Sequence, residues 1–498
     1  MEIKDSINIH ENSWKKSIFN YGKWYFLSSI LTKGLSILLL PIYTRYLNPT
    51  DYGILQSLNS VALFLPVILS LSLDSAFGRF FHDYKNDKEQ LKILFSTVFW
   101  FVVLYGCILL FIILITSQYW IPQLLKVPIF PYVYLAFIPA LLTQLSQLGR
   151  VFLEQSLQVR VTTFLDVTSS LLNAGLSIWL LISFNLGVIG RLIGIAFASI
   201  FLLIFYILYF WKLGYLKFVF SKQLCFKSLL YAAPLVPALA GSWIAGLSDR
   251  LVIAKYCTLS DVGLYSLAFQ LAMVLYLVGD AITRVLSPIS MSGLVCDKEI
   301  TKQRMANFAL YLWGIMLLAN LGISLFAKEV VSLISDKAFH SSYSLIAIIS
   351  FIYVLGMQYR FPMDIISFHR KTWILTIASI MMGGVNLILN LIFVPIYGYF
   401  AAAWATVVAM LVYSLWVMFW GQKLDAIPYN WRKYLYSFLI YLVSTCIVSL
   451  LGDADNSSKI LWNVIVIKLF ILFFVAFVIT IIINKKWVIE LFFKFLKK

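Results

Sequence analysis

The chain has 498 residues, 61% of them hydrophobic and 17% aromatic. Only 12% are charged, about half the share usual in soluble domains, and the mean hydropathy is +0.90; together these exclude an ordinary water-soluble enzyme. The net charge of +17 is compatible with nucleic acid, an anionic membrane surface or an anionic substrate, and the positions of the cations must decide.

In chain order, mainly apolar runs fall at 18–42, 53–80, 93–116, 129–152, 161–183, 187–211, 228–250, 262–289, 305–327, 342–364, 372–395, 399–420, 434–451 and 460–483. A helix needs about 20 such residues to cross hydrocarbon with its backbone polar groups satisfied, so the pattern predicts an all-α integral membrane protein of about 14 transmembrane helices. The joints at Phe184–Leu186 and Ile396–Tyr397 are short, but merging the helices beside either would give a span longer than tilting absorbs. The stretch from Phe19 runs too long for a signal peptide and ends in no small-residue cleavage site. The final residues, 485–498, mix lysines with Trp487, Phe492, Phe493 and Phe495, as in a basic amphipathic helix on the inner leaflet.

With the N-terminus inside, cytoplasmic segments carry about four Lys or Arg for every one outside, a positive-inside pattern that puts both termini in the cytoplasm. The basic balance is therefore mostly topology, and no nucleic-acid partner is expected. Cys107, Cys225, Cys257, Cys296 and Cys446 are widely spaced, without a CxxC pair, and read as unpaired small hydrophobes.

The chain carries an internal repeat. Tyr46-Leu47-Asn48-Pro49-Thr50-Asp51-Tyr52-Gly53 matches Tyr256-Cys257-Thr258-Leu259-Ser260-Asp261-Val262-Gly263 at a shift of 210 residues, Gly187 matches Gly398 at a shift of 211, and Asp74 with Arg79 resembles Asp280 with Arg284. A duplicated six-helix unit enters the membrane twice from the same side, so its copies should be related by a pseudo-twofold along the membrane normal with a site between them. The expected organisation is an N-terminal bundle over 1–215, a C-terminal bundle over 216–422, two extra helices over 423–484 and the basic tail over 485–498. Gly190, Gly194 and Ala198 put small residues on one helix face for close packing. Gly383-Gly384 and Pro234, Pro237, Pro288 and Pro395 are places where helices can bend.

Enzyme constellations are absent: the histidines are His10, His82, His340 and His369, and there is no HExxH, P-loop or GxSxG. No cofactor or metal is implied. Six cations remain within the spans, namely Lys23, Lys33, Arg191, Arg284, Arg360 and Lys468. A cation in the hydrocarbon centre costs at least about 2.5 kcal/mol, so it faces a wet cavity or a partner charge. Lys33 is mid-helix, and Arg284 shares a helix face with Asp280 four residues earlier. Lys23, Arg191, Arg360 and Lys468 lie nearer helix ends, where they can snorkel. Asp74 with Arg79 and Asp280 with Arg284 are expected at the cytoplasmic mouth, where cations suit a phosphate-bearing substrate. Asp249 and Arg250 are candidates for an ion pair or gate, and Asp166 is a candidate coupling-ion carboxylate.

The fourteen-helix plan, Pro41-Ile42-Tyr43-Thr44-Arg45-Tyr46-Leu47 with Asp51-Tyr52-Gly53, Asp249-Arg250 with Val262-Gly263-Leu264-Tyr265, and Asn386-x3-Asn390 followed by Pro395-x2-Gly398 resemble the bacterial polysaccharide repeat-unit flippases. These belong to the multidrug/oligosaccharidyl-lipid/polysaccharide exporter superfamily. The resemblance implies a non-enzymatic inner-membrane protein that moves undecaprenyl-pyrophosphate-linked oligosaccharide to the outer leaflet by alternating access, for O-antigen, capsule or exopolysaccharide. It implies a cationic cavity, for which Lys33 and Arg284 are the first candidates and Arg79, Lys23 and Arg360 the others. Its implied partners are the lipid-linked oligosaccharide, membrane lipids, a polysaccharide polymerase and a chain-length regulator. The position 210 after Lys33 is Trp243, so the resemblance does not say which bundle grips the pyrophosphate. The alternatives are a cation-coupled multidrug exporter, which would favour acids in its lumen, and a lipid II flippase.

Overall fold

The computed structural model describes Trp24, Ser28 and residues 31–453 and 462–483. Among these residues all regular structure is helical. Lys23 and the basic tail over 485–498 lie outside them.

Residues 31–38 are helical and lead through a turn into α1 (Leu40–Tyr46). There follow α2 (Pro49–Ser70), α3 (Leu73–Tyr84), α4 (Lys88–Leu125), α5 (Tyr132–Gln155), α6 (Val159–Ser183), α7 (Gly187–Lys212), α8 (Lys222–Ala232) and α9 (Leu235–Tyr256). Next come α10 (Leu259–Cys296), α11 (Lys298–Leu325), α12 (Ala327–Ile334), α13 (Tyr343–Gln358) and α14 (Arg360–Phe368), with a 3-10 turn over Lys337–Ser342. The last are α15 (Trp373–Tyr397), α16 (Tyr399–Leu424), α17 (Trp431–Asp453) and α18 (Trp462–Ile483). Among the described residues 11 helices are long and apolar enough to cross a membrane, or 12 when α8 and α9, bent by 45°, form one span.

The two short joints do separate helices, because left-handed backbone stops each one: Asn185 and Gly187 have φ of 52°, and Gly398 has φ of 66°. The second expected span is broken, however, into α2 and α3. Leu71 (φ 51°) and Ser72 (φ 60°) are consecutive left-handed residues without the freedom of glycine, a conformation costing about 1–2 kcal/mol per residue. Pro234 lies at the bend between α8 and α9, as expected. Gly383 instead permits a close helix crossing, since a Cβ there would lie 2.6 Å from the Gly241 carbonyl oxygen.

The chain divides into two compact units, Met1–Ala240 with Thr258–Gly263, and Gly241–Cys257 with Leu264–Lys498. In the first, α6 lies along α7 and α5 packs on both α7 and α2. Gly190 and Gly194 make the α6–α7 approach possible: a Cβ on Gly190 would touch Leu180, and one on Gly194 would overlap the Ser177 hydroxyl. A cluster of rings fills the other end, with Phe95 4.7 Å and Phe152 4.8 Å from Phe210 between centroids.

In the second unit α15 lies along α16, and α11 carries α13, α17 and α18. The two helices outside the repeat are fastened by polar contacts within an apolar core. Asn320 is fully buried, donates to the Ser350 hydroxyl at 2.7 Å and accepts from the Tyr441 hydroxyl at 2.5 Å. Lys468, an intramembrane cation in the sequence, pairs with Glu329. Asn320 and Lys468 are each satisfied within the protein because hydrocarbon offers no partner.

Candidate functional site

The first charged cluster is built on α10. Tyr276, Asp280 and Arg284 recur every four residues and so share one face. Arg284 Nε donates to Asp280 Oδ2 at 2.7 Å, the Tyr276 hydroxyl donates to Oδ1 at 3.3 Å, and Arg360, at the start of α14, approaches Oδ1 at 3.7 Å. Two expected cavity cations therefore converge on one carboxylate. The Arg284 side chain is 66% exposed, leaving its outer guanidinium edge available, while Arg360 Nε is buried with no hydrogen-bond partner. Close by in sequence, Asp364 accepts from the Ser287 hydroxyl at 2.7 Å. The group is thus two arginines ion-paired to the one carboxylate of Asp280, the Asp280–Arg284 contact being the one that the four-residue spacing suggested.

The expected partner pair on the other copy does not form. Arg79 bonds Asp83 at 2.7 Å on an exposed surface, and Asp74 accepts from Gln144 at 3.3 Å. The reason is spacing: five residues turn Arg79 about 140° around the helix from Asp74, whereas four bring Arg284 back over Asp280. Lys33 lies half-buried on the helical stretch 31–38 of the first unit.

Asp166 carries its own cation. Arg150 reaches it at 3.1 Å, the Ser28 hydroxyl donates to it at 3.2 Å, and Arg150 also binds Glu154 at 2.9 Å. In this arrangement the Asp166 carboxylate is held by an arginine and a hydroxyl.

Asp249 is the contrasting case. It is fully buried, and its partners are neutral: the Tyr265 hydroxyl at 2.6 Å, the Thr406 hydroxyl at 2.8 Å and the Asn390 amide nitrogen at 2.8 Å. Asn386 continues the network, accepting from Asn390 at 3.0 Å and from Ser248 at 3.4 Å. Arg250 turns to the Ser266 hydroxyl at 3.2 Å and lies 4.8 Å from the centre of the Phe269 ring. These residues are buried within the second unit, and Asp249 and Arg250 each turn to neutral partners instead of pairing with one another. Asn390 Oδ1 is buried without a partner, next to the carboxylate, and the Ala402 carbonyl accepts from Thr406 at 2.9 Å. One carboxylate with carboxamide, hydroxyl and carbonyl oxygens is a hard donor set, suited to a proton or an alkali cation. Tyr265 and Thr406 were missed by sequence reasoning. The available signal was Asn386-x3-Asn390, two carboxamides on one face of an otherwise apolar helix.

The corresponding region of the first unit holds a cation. Arg191 donates to Asn173 at 2.5 Å and to Ser177 at 3.0 Å, with the Tyr43 ring centre 4.8 Å away.

A family model described as polysaccharide biosynthesis protein matches residues 21–294. Lsg locus putative protein 1 of Haemophilus influenzae is 22% identical over 382 residues, covering 73% of this chain and 88% of that protein. An uncharacterized membrane protein of the same organism is 25% identical over 283 residues, 55% of this chain and 65% of the relative. Among solved structures, the lipid II flippase MurJ in an inward closed conformation superposes with a TM-score of 0.67 at 18% identity, covering 94% of this chain and 100% of that one. An inward-facing multidrug resistance MATE family transporter of the MOP superfamily gives 0.59 at 15% identity, covering 79% and 95%. At these identities the likeness establishes the fold.

Proposed function

The chain belongs to the polysaccharide biosynthesis protein family, and from that premise we propose that it is a flippase for undecaprenyl-pyrophosphate-linked oligosaccharide repeat units. It carries them from the cytoplasmic to the outer leaflet of the bacterial inner membrane by exposing one site alternately to the two sides. The observation that carries this reading is the convergence of Arg284 and Arg360 on Asp280. A pyrophosphate must be shielded from hydrocarbon while its polyprenyl tail stays in lipid. Arg284 offers an exposed guanidinium edge and Arg360 a buried Nε without a partner, donors matched to phosphate oxygens. Binding would draw the arginines from Asp280 to the substrate, so the aspartate holds the site in register when it is empty. Lys33 is the remaining cation of this reading. Surface polymerase and chain-length regulator act downstream of the flipped lipid.

Asp249 and its neutral oxygen partners are the coupling element of this reading, in place of Asp166. A proton or alkali cation there would neutralise a carboxylate that otherwise has no direct ion-pair partner among the described residues.

The test is made in cells that depend on this chain for surface polysaccharide. Arg284→Ala should stop export and accumulate lipid-linked repeat units accessible only from the cytoplasmic leaflet, at normal protein levels. Undiminished polymer from Arg284→Ala combined with Arg360→Ala would refute the reading.

A further inference from the structure

We propose that the first turn of α17 and the face of α11 beside it form a binding site for the phosphate of a membrane-lipid headgroup, separate from the charged cluster on α10. A cavity of about 520 Å³ opens there, lined among others by Gln303, Asn307, Tyr429, Trp431, Arg432 and Lys433, within the range of small-ligand sites.

Gln303 and Asn307 are one helical turn apart on α11, exposed, and without a hydrogen bond among the described residues. Arg432 is likewise exposed and makes no hydrogen bond or ion pair among the described residues. Three side chains with only donors to offer a phosphate, or with a donor amide, therefore border one space. α17 begins in the same wall: Asn430 caps the Lys433 N–H at 3.4 Å, and the N–H groups of Trp431 and Arg432 precede the first intrahelical bond and have no acceptor among the described residues. The positive end of the helix and the guanidinium thus act on the same volume.

Neighbouring acids do not cancel this field, because Asp425 is held by Lys298 at 2.5 Å and Lys302 at 3.1 Å, and Glu299 is bound by Lys302 at 2.6 Å. Lys433 donates to the Ile483 carbonyl at 2.7 Å and adds its charge from a fixed position. The donor geometry fits a tetrahedral oxyanion, with Arg432 able to bind two oxygens at once. The source follows from position: α11, long and apolar enough to cross a membrane, begins here, and Trp431 and Tyr429 are aromatics of the kind that sit at headgroup level. A phosphate presented there arrives on a lipid.

The test uses the full chain in micelles doped with phosphatidylglycerol or with diacylglycerol, which lacks the phosphate, and native mass spectrometry to count protein carrying a bound lipid. A second arm adds inorganic phosphate. Phosphatidylglycerol should be retained and diacylglycerol not. Arg432→Gln should weaken retention about tenfold, the loss expected for one charge-assisted contact. Arg432→Lys should recover part of it, and Lys371→Gln, at an exposed cation outside the lining of this cavity, should leave it unchanged. Should Arg432→Gln fold poorly, Asn307→Asp, which sets a negative charge against the phosphate, should weaken retention in its place. Equal retention of diacylglycerol, equal loss in Lys371→Gln, or full displacement by equimolar inorganic phosphate would overturn the proposal, the last by making this a site for free anions. Retention unchanged in both Arg432→Gln and Asn307→Asp would overturn it too.

Discussion

Gly53 and Gly263 make reciprocal contacts: a Cβ on Gly53 would strike the Leu259 carbonyl, and one on Gly263 the Pro49 carbonyl. Both positions shift by 210 residues from one copy of the repeat to the other, so the contact maps onto itself when the copies are exchanged, as across a twofold axis. All four residues lie in the first compact unit. The helix caps repeat as well. Asn48 accepts from the Asp51 N–H at 2.8 Å, and Thr258 accepts from the Asp261 N–H at 3.1 Å while Asp261 accepts in return from the Thr258 N–H at 3.0 Å.

Because the obstructing atoms at this crossing are backbone, they cannot rotate aside. Gly53→Ala and Gly263→Ala should each destabilise the protein by about 1–3 kcal/mol, as overpacking does. The double variant should lose less than the sum, since the first methyl already parts the helices. Thermal unfolding in detergent reads both effects, and unaltered melting in either single variant would contradict the close crossing.

Asp249→Asn keeps the shape of the side chain and removes the charge. Transport should become insensitive to the sodium or proton gradient, with folding preserved because the carboxamide oxygen still accepts from Tyr265 and Thr406 and its nitrogen faces Asn390, whose Oδ1 has no partner. Vesicle uptake measured with and without an imposed gradient distinguishes this from Asp166→Asn, which takes one of two carboxylates from Arg150 and should lower stability while leaving the gradient response intact.

Tyr441→Phe leaves the Asn320 carboxamide oxygen without its donor in an apolar core. Polar contacts between membrane helices contribute about 0.5–2 kcal/mol, and a loss of that size should appear as a lower melting temperature. Ser437→Ala, on the same helix but with its hydroxyl donating to the Lys433 carbonyl one turn earlier at 2.7 Å, should change little.

Asp425 follows the last residue of α16, outside the spanning segment. Burial pushes its carboxyl up, and the hydrogen bonds from Lys298 and Lys302 more than reverse this, leaving it below the ordinary carboxylate value. Its contribution to stability is therefore complete above the unfolded pKa, near about 4, and is lost as pH falls through the lower folded value. Asp425→Asn should remove that acid-side dependence, which melting temperatures measured from neutral to acidic pH would reveal.

The bilayer made much of this architecture legible, because a fixed hydrocarbon thickness imposes a run length that composition alone can satisfy. The Asp280–Arg284 contact was legible for a similar reason, its four-residue spacing being one helical turn. Ser72 shows what was not: nothing in Leu71-Ser72 announces a left-handed break, since neither residue is glycine or proline, and the neighbouring Pro66 remains inside α2. The surroundings of Asp249 were hidden because its partners arrive from 141 and 157 residues away. They are also uncharged, so no search for complementary charge would find them. The Gln144 that meets Asp74 likewise comes from far along the chain, 70 residues away.

Arg191 and Asp249 suggest how duplicated halves diverge in what they ask of their surroundings. At the shift of 211 residues Arg191 falls on Ala402, whose carbonyl belongs to the network around Asp249. One half has its positive charge encoded as a side chain, permanently supplied by translation; under the coupling reading proposed above, the other would draw one from the medium. Changing the salt or acidity of the bath should accordingly alter the dynamics of the later half while the earlier half remains indifferent, so that a symmetric ancestry yields a machine listening to its environment through one side only.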